Sequence, residues 1–94
     1  MEKEIQVVNN EQLMRFESPV GEEMAELVYR WYHGNLALMH TFVPEEGRGL
    51  GYSAALAKYA LEYAKAKGVK VKVYCTYVAS YLKRHPEYQD LVIR

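Results

Sequence analysis

A chain of 94 residues whose twelve lysines and arginines are cancelled by twelve aspartates and glutamates has room for one domain, 1–94, and little for a second. With no net charge it lacks the electrostatic footprint of a protein that holds duplex DNA or an anionic membrane surface. Its one cysteine, Cys75, allows no internal disulfide, the charged start Met1-Glu2-Lys3-Glu4 lacks a signal-peptide core, and no apolar run reaches the length of a membrane span, so a cytoplasmic protein is expected.

Ile5 to Val8 is a short strand candidate, and Asn9-Asn10 is a turn signal. Gln12 to Ser18 alternates, with Met14 and Phe16 on one face and Arg15 and Glu17 on the other, closed by Pro19 and Gly21. Met24 to Tyr32 alternates over a longer stretch, with Ala25, Leu27, Tyr29 and Trp31 together, before His33-Gly34-Asn35 turns the chain. Leu36, Leu38, His40 and Phe42 then alternate with Ala37, Met39, Thr41 and Val43. Both sets are apolar enough to predict a central strand covered on both sides, stopped by Pro44.

The period then changes. Tyr52, Leu56, Tyr59, Ala60 and Tyr63 fall on one helical stripe opposite Lys58, Glu62 and Lys65, and Gly68 is a helix stop. Val69 to Tyr74 alternates as a strand, Tyr77 to His85 reads as a second helix ended by Pro86, and Leu91-Val92-Ile93 is a final strand or a docked end. The order predicts an α+β domain, a mostly antiparallel sheet carrying two main helices.

Between the central strand and the first helix stands Glu46-Gly47-Arg48-Gly49-Leu50-Gly51-Tyr52-Ser53. Three glycines at alternate positions let the backbone pass close to a bulky group, and the helix start adds free N–H groups and its positive end. This is an anion cradle, phosphate before others, with Arg48 adding charge; the plain alternative is a connection without a ligand. A nucleotide P-loop needs Gly-Lys-Ser/Thr, and here Tyr52-Ser53 follows Gly51. The dinucleotide fingerprint needs another glycine spacing and a carboxylate after the next strand, where Tyr74-Cys75 stands. The acyl-CoA pyrophosphate loop, Arg/Gln-x-x-Gly-x-Gly/Ala, fits Arg48 to Ser53 with serine in the last small position.

With His40-Thr41-Phe42-Val43-Pro44, with Cys75-Thr76-Tyr77-Val78-Ala79-Ser80-Tyr81 and with His85-Pro86-Glu87-Tyr88, the chain resembles the GNAT superfamily of N-acetyltransferases, in its compact single-domain YjdJ-type branch. The likeness is close over residues 35 to 93. It implies a minimal GNAT-like fold and transfer of an acetyl group from acetyl-CoA, as cosubstrate and without a metal, to an amine not yet identified. The alternative is an acyl-CoA-binding module without turnover. It also implies that the strand before the loop, with Thr41, Phe42 and Val43, splays from its neighbour to receive the pantetheine arm. Arg48, Gly49, Leu50, Gly51, Tyr52 and Ser53 would then hold the pyrophosphate.

Larger members carry a tyrosine acid on the last helix; at that spacing this chain has Lys83, with Tyr81 two residues early. That raises interest in Cys75, at a helix start that favours a thiolate, as acid/base, nucleophile or simply a small buried residue. His40, beside the loop, reads as a general base or as a histidine bonded within the sheet, and Cys75 is its candidate partner. A third function class, an RNA-binding sheet showing Tyr29, Trp31 and Phe42, has the neutral charge against it. No nucleic acid and no membrane is expected as partner, and the chain is expected as a monomer or weak homodimer.

Overall fold

The structure, a computed structural model, describes residues 5–93. Its strands are β1 (Val8–Asn10), β2 (Arg15–Val20), β3 (Glu23–Tyr32), β4 (Asn35–Phe42) and β5 (Val71–Val73). Helix α1 (Tyr52–Lys67) links β4 to β5, α2 (Thr76–Arg84) follows, and short 3-10 segments cover Glu45–Gly47 and Pro86–Leu91. The strands lie side by side in chain order; the first four are antiparallel, and β5 runs parallel to β4 because α1 carries the chain back across the sheet. The predicted α+β class, mostly antiparallel with two main helices, is the fold observed.

The helices share one face of the sheet. Phe16, Leu27, Tyr29, Leu36 and Leu38 form a single buried cluster with Leu56, Ala60 and Leu61 of α1 and Val78, Tyr81 and Leu82 of α2. Ala57, Ala60 and Ala64 let α1 approach closely, while Tyr59 and Tyr63 flank it, each with its ring 5.5 Å from Phe16. The buried stripe of α1 is therefore centred on alanines and leucines rather than on the tyrosines its spacing suggested. Gly68, left-handed at φ 74, ends α1 as expected, its N–H donating to the Ala64 and Lys65 carbonyls.

Two local expectations are corrected, and one left open between two alternatives is decided. Asn9 and Asn10 are strand residues, not a turn. The Asn9 Oδ1 accepts from the Tyr29 hydroxyl at 2.8 Å and the Asn10 Nδ2 donates to Glu17 at 3.2 Å, so both side chains are tied into the sheet, and the turn falls after them. The final segment is a docked end: the Ile93 N–H donates to the Val71 carbonyl at 2.9 Å, and Val92 bridges Val71 in parallel.

The second correction concerns β4. Val28 pairs with His40 but Tyr29 pairs with Leu38, so Met39 is an extra residue, a β-bulge. A strand's faces alternate with period two, and one inserted residue exchanges them. Leu36 and Leu38 point to the helices, but past the bulge Thr41 does, through its partner Leu27, while His40 and Phe42 join Ala37 on the opposite face. That face is not covered by a helix. It carries an ion network of Arg15 with Glu17 and Glu26, and Lys72 lying over the rings of Tyr32 and Tyr74.

Candidate functional site

The site begins where β4 and β5 part. Their ladder lasts three pairs, ending at Leu38 with Val73. The Leu38 carbonyl then accepts from both the Tyr74 and Cys75 N–H groups, at 2.9 and 3.0 Å, and β5 gives way to α2. Strand β4 continues to Phe42 with no partner on that edge among the described residues. Unpaired backbone groups on a strand edge can bond an extended chain laid beside them.

Cys75 closes this gap. It is the N-cap of α2, 5% exposed, with its Sγ 3.2 Å from the Thr41 Oγ1 across the parting strands. The bulge is what places Thr41 there: without Met39 as an extra residue, position 41 would face away from the helices. His40 is exposed on the helix-free face, so the Cys75–His40 pair considered from sequence does not form; the thiol's partner is the threonine.

Beyond β4 the chain must turn onto α1. Pro44 is buried, and Gly47 packs so tightly that an added Cβ would lie 2.9 Å from the Val20 Cγ1. Gly49 and Gly51 are left-handed, at φ 78 and 95, and Gly51 is the N-cap of α1. The first N–H bonded back to this loop from the helix is that of Ala55, to the Gly51 carbonyl at 3.0 Å, and no side chain caps the end. The amides of Tyr52, Ser53 and Ala54 therefore end without helical partners. The first turn holds no acidic residue, leaving the positive end of the helix to an outside anion.

These amides face a cleft of about 320 Å³ whose far wall is Val43 and Tyr77. Arg48 lines it too, although its Nε donates to the Val43 carbonyl at 3.2 Å, which ties the loop to the end of β4. The cleft brings together Val43, Arg48, Gly49, Gly51, Tyr52 and Ser53 from the expected set. Leu50 stands apart, its side chain exposed and its N–H donating to the Gly47 carbonyl at 3.3 Å. Phe42 lies on the helix-free face, as does His40, while Thr41 belongs with Cys75.

Tyr77 was not singled out from sequence. It follows the N-cap Cys75 by two residues, so it stands in the first turn of α2, and only the approach of α2 to the loop shows that its ring reaches the cleft. Its hydroxyl accepts from Arg84 at 3.4 Å. Tyr81, by contrast, is buried, stacked on His85 and near Tyr88, and burial pushes its phenol pKa up. Lys83 is exposed. Tyr29 faces the helices and Phe42 the other side, so the aromatic platform considered for RNA is not assembled.

A family model of the GCN5-related N-acetyl-transferases matches residues 15–91. Protein NATD1 of Gallus gallus and of Homo sapiens are each 34% identical over 65 residues, 68% of this chain and 59% and 58% of their own lengths. The Xenopus tropicalis protein of that name is 37% identical over 49 residues, 52% of this chain and 45% of its own. The chain thus spans less than two thirds of the curated relatives it matches. A GCN5-like protein from Staphylococcus aureus, solved by NMR in solution, superposes with a TM-score of 0.68 over 95% of this chain and 88% of its own, at 23% identity. At that identity the likeness is one of fold.

Proposed function

The chain belongs to the GCN5-related N-acetyltransferase family, and from that premise we propose that it transfers an acetyl group from acetyl-CoA to an amine by direct attack on the thioester. One observation supports this above others. The unbonded amides at the start of α1 open onto a cleft that leads by way of Val43 toward the parting of β4 and β5. A pyrophosphate fits the amides of Gly51, Tyr52, Ser53 and Ala54, with Arg48 supplying positive charge. The free edge of β4 beyond Leu38 suits the amide groups of a pantetheine arm.

In the transfer a C–N bond forms, the C–S bond breaks, the amine loses a proton and the departing thiolate gains one. We assign Cys75, on the helix side of the gap, to protonate the thiolate, its Sγ lying 3.2 Å from the Thr41 Oγ1. His40 stands on the other face of the same strand two residues past Leu38, where an amine approaching over the helix-free side would meet it as base. That face is open and uncovered by a helix, which favours an extended acceptor such as a peptide amine over a small molecule in a closed pocket.

Calorimetry with acetyl-CoA, then thiol release against a panel of peptide and small amines, tests this. Micromolar binding with peptide-dependent thiol release is expected, and Gly51→Glu abolishes both by placing a carboxylate at the cradle. Binding without release for any amine would leave an acyl-CoA-binding module; no binding would refute the cradle.

A further inference from the structure

At the end of α1 away from the glycine loop lies a separate cavity of about 340 Å³. Tyr29 and Trp31 of β3, Tyr63 and Lys67 of α1, and Glu11 and Met14 of the turn between β1 and β2 line it. Lys67 closes α1 about 22 Å along the axis from Tyr52, so nothing in this lining is shared with the cleft at the helix start.

The lining is aromatic beyond what the core requires. Tyr29 is 1% exposed and belongs to the core, but Trp31, next on the same face of β3, is 44% exposed. Its ring stands at 78° to that of Tyr29, with centroids 6.0 Å apart, so the two make a corner. The half-buried Tyr63, set edge-on to Phe16, adds a further wall. Ring faces carry the negative part of the aromatic quadrupole, and several rings at steep angles around one space attract a cation. The chain shows that attraction in its own side chains: the Lys67 Nζ lies 5.7 Å from the centre of the Tyr63 ring. Glu11 adds a full negative charge to the lining, and Met14 adds a thioether, an adaptable surface for methyl groups. A primary ammonium is strongly hydrated, and apart from the Glu11 carboxylate this lining offers little to replace its water. A methylated ammonium spreads the same charge over methyl groups, which pack on rings without hydrogen bonds.

We propose that this cavity binds a quaternary ammonium group, its methyl groups in the corner of Tyr29 and Trp31 and against Tyr63, its charge toward Glu11, with Lys67 as the internal cation it displaces. That chemistry is common to a free choline-like cation and to a trimethylated lysine in a peptide. The site does not depend on what the loop before α1 binds.

Trp31 is the only tryptophan of the chain, so its emission reads the cavity. The wild-type chain is titrated at constant ionic strength with tetramethylammonium, with choline, with the neutral isostere 3,3-dimethylbutanol, and with one peptide carrying lysine or trimethyllysine at the same position. The quaternary cations and the trimethyllysine peptide change the emission saturably. The alcohol and the unmethylated peptide bind at least about tenfold more weakly, the scale of a desolvated cation–π contact. These comparisons need no variant to fold. Lys67→Gln tightens choline about threefold by removing the competing charge, and Glu11→Gln weakens it by about as much, the scale of an exposed charge pair. Both variants keep the wild-type affinity for acetyl-CoA. A trimethyllysine peptide about tenfold tighter than choline assigns the ligand to a peptide, and comparable affinities assign it to a free cation; either sustains the site. Equal binding of choline and the alcohol, weaker choline binding by Lys67→Gln, or unchanged emission at about 10 mM cation, well above a millimolar Kd, would each overturn it.

Discussion

Gly47 and Gly49, two residues apart in the loop, are not equivalent, and the difference separates folding from function. Gly47 is a packing glycine: its missing Cβ makes room for Val20. Gly49 is a conformational glycine with open space where a Cβ would go. Gly47→Ala is expected to cost about 1–3 kcal/mol by overpacking. Gly49→Ala costs about 1–2 kcal/mol from its left-handed backbone and, beyond that, weakens acetyl-CoA by presenting a methyl group to the cleft. Urea unfolding midpoints set against calorimetric affinities check this; equal affinity loss in both would mean the distinction is false. Cys75 and Thr41 form the second residue-scale case. Cys75→Ala is expected to lower turnover about tenfold or more while leaving acetyl-CoA affinity within about threefold, the scale of a general acid. Thr41→Val is expected to lower turnover while leaving acetyl-CoA affinity within about threefold, because the hydroxyl touches and orients the thiol. Unchanged turnover in Cys75→Ala would return the thiol to a packing role.

At the scale of elements, the segment after α2 holds the two helices together. Tyr88, in the 3-10 turn Pro86–Leu91, donates to Glu62 of α1 at 2.6 Å. That hydrogen bond, then burial and the carboxylate's charge, raise the Tyr88 pKa well above the ordinary 10.0. Tyr29 is raised as well, burial outweighing its bond to Asn9. A raised pKa means the folded state holds the phenol proton more tightly than the unfolded chain does. The stabilisation is whole below the unfolded value of 10.0 and declines as pH climbs above it toward the folded value. Stability measured by urea unfolding should therefore fall above that pH, and Tyr88→Phe should flatten part of the fall, at a cost near neutral pH of about 1 kcal/mol. A parallel decline in both proteins would show that this hydrogen bond is not the source.

The whole molecule is a sheet with helices on one side and side chains alone on the other. Val8, Met24, Tyr32, Phe42 and Tyr74 are exposed on or beside that uncovered face, around the buried Glu17 and its arginine. One apolar cluster runs from β2 through both helices to Tyr88, so no part of the described chain has a core of its own. We expect thermal unfolding followed by far-ultraviolet dichroism and by tyrosine and tryptophan signals to coincide in a single transition. Two separated transitions would mean that the β2–β4 meander and the helical half are independent units.

Much of this architecture is written locally. The change from period two to period 3.6 near residue 52, the glycine stops at Gly34 and Gly68, and the loop pattern from Arg48 to Ser53 are properties of neighbouring residues. So both helices, the long hairpin and the glycine loop between β4 and α1 could be read before any coordinates. What the chain order could not give is whatever depends on pairing. The bulge at Met39 arises from the register of β4 against β3, and it alone turns Thr41 toward Cys75 and His40 away. Tyr77 reaches the cleft only because α2 returns alongside α1, and Ser18 borders a cavity only because the β2–β3 turn meets the loop some thirty residues later in the chain. The sequence determined that a glycine loop with free amides precedes the first helix, since its geometry is made by consecutive residues. The tertiary structure decided which side chains stand around it, since those come from strands and helices brought together by the common core.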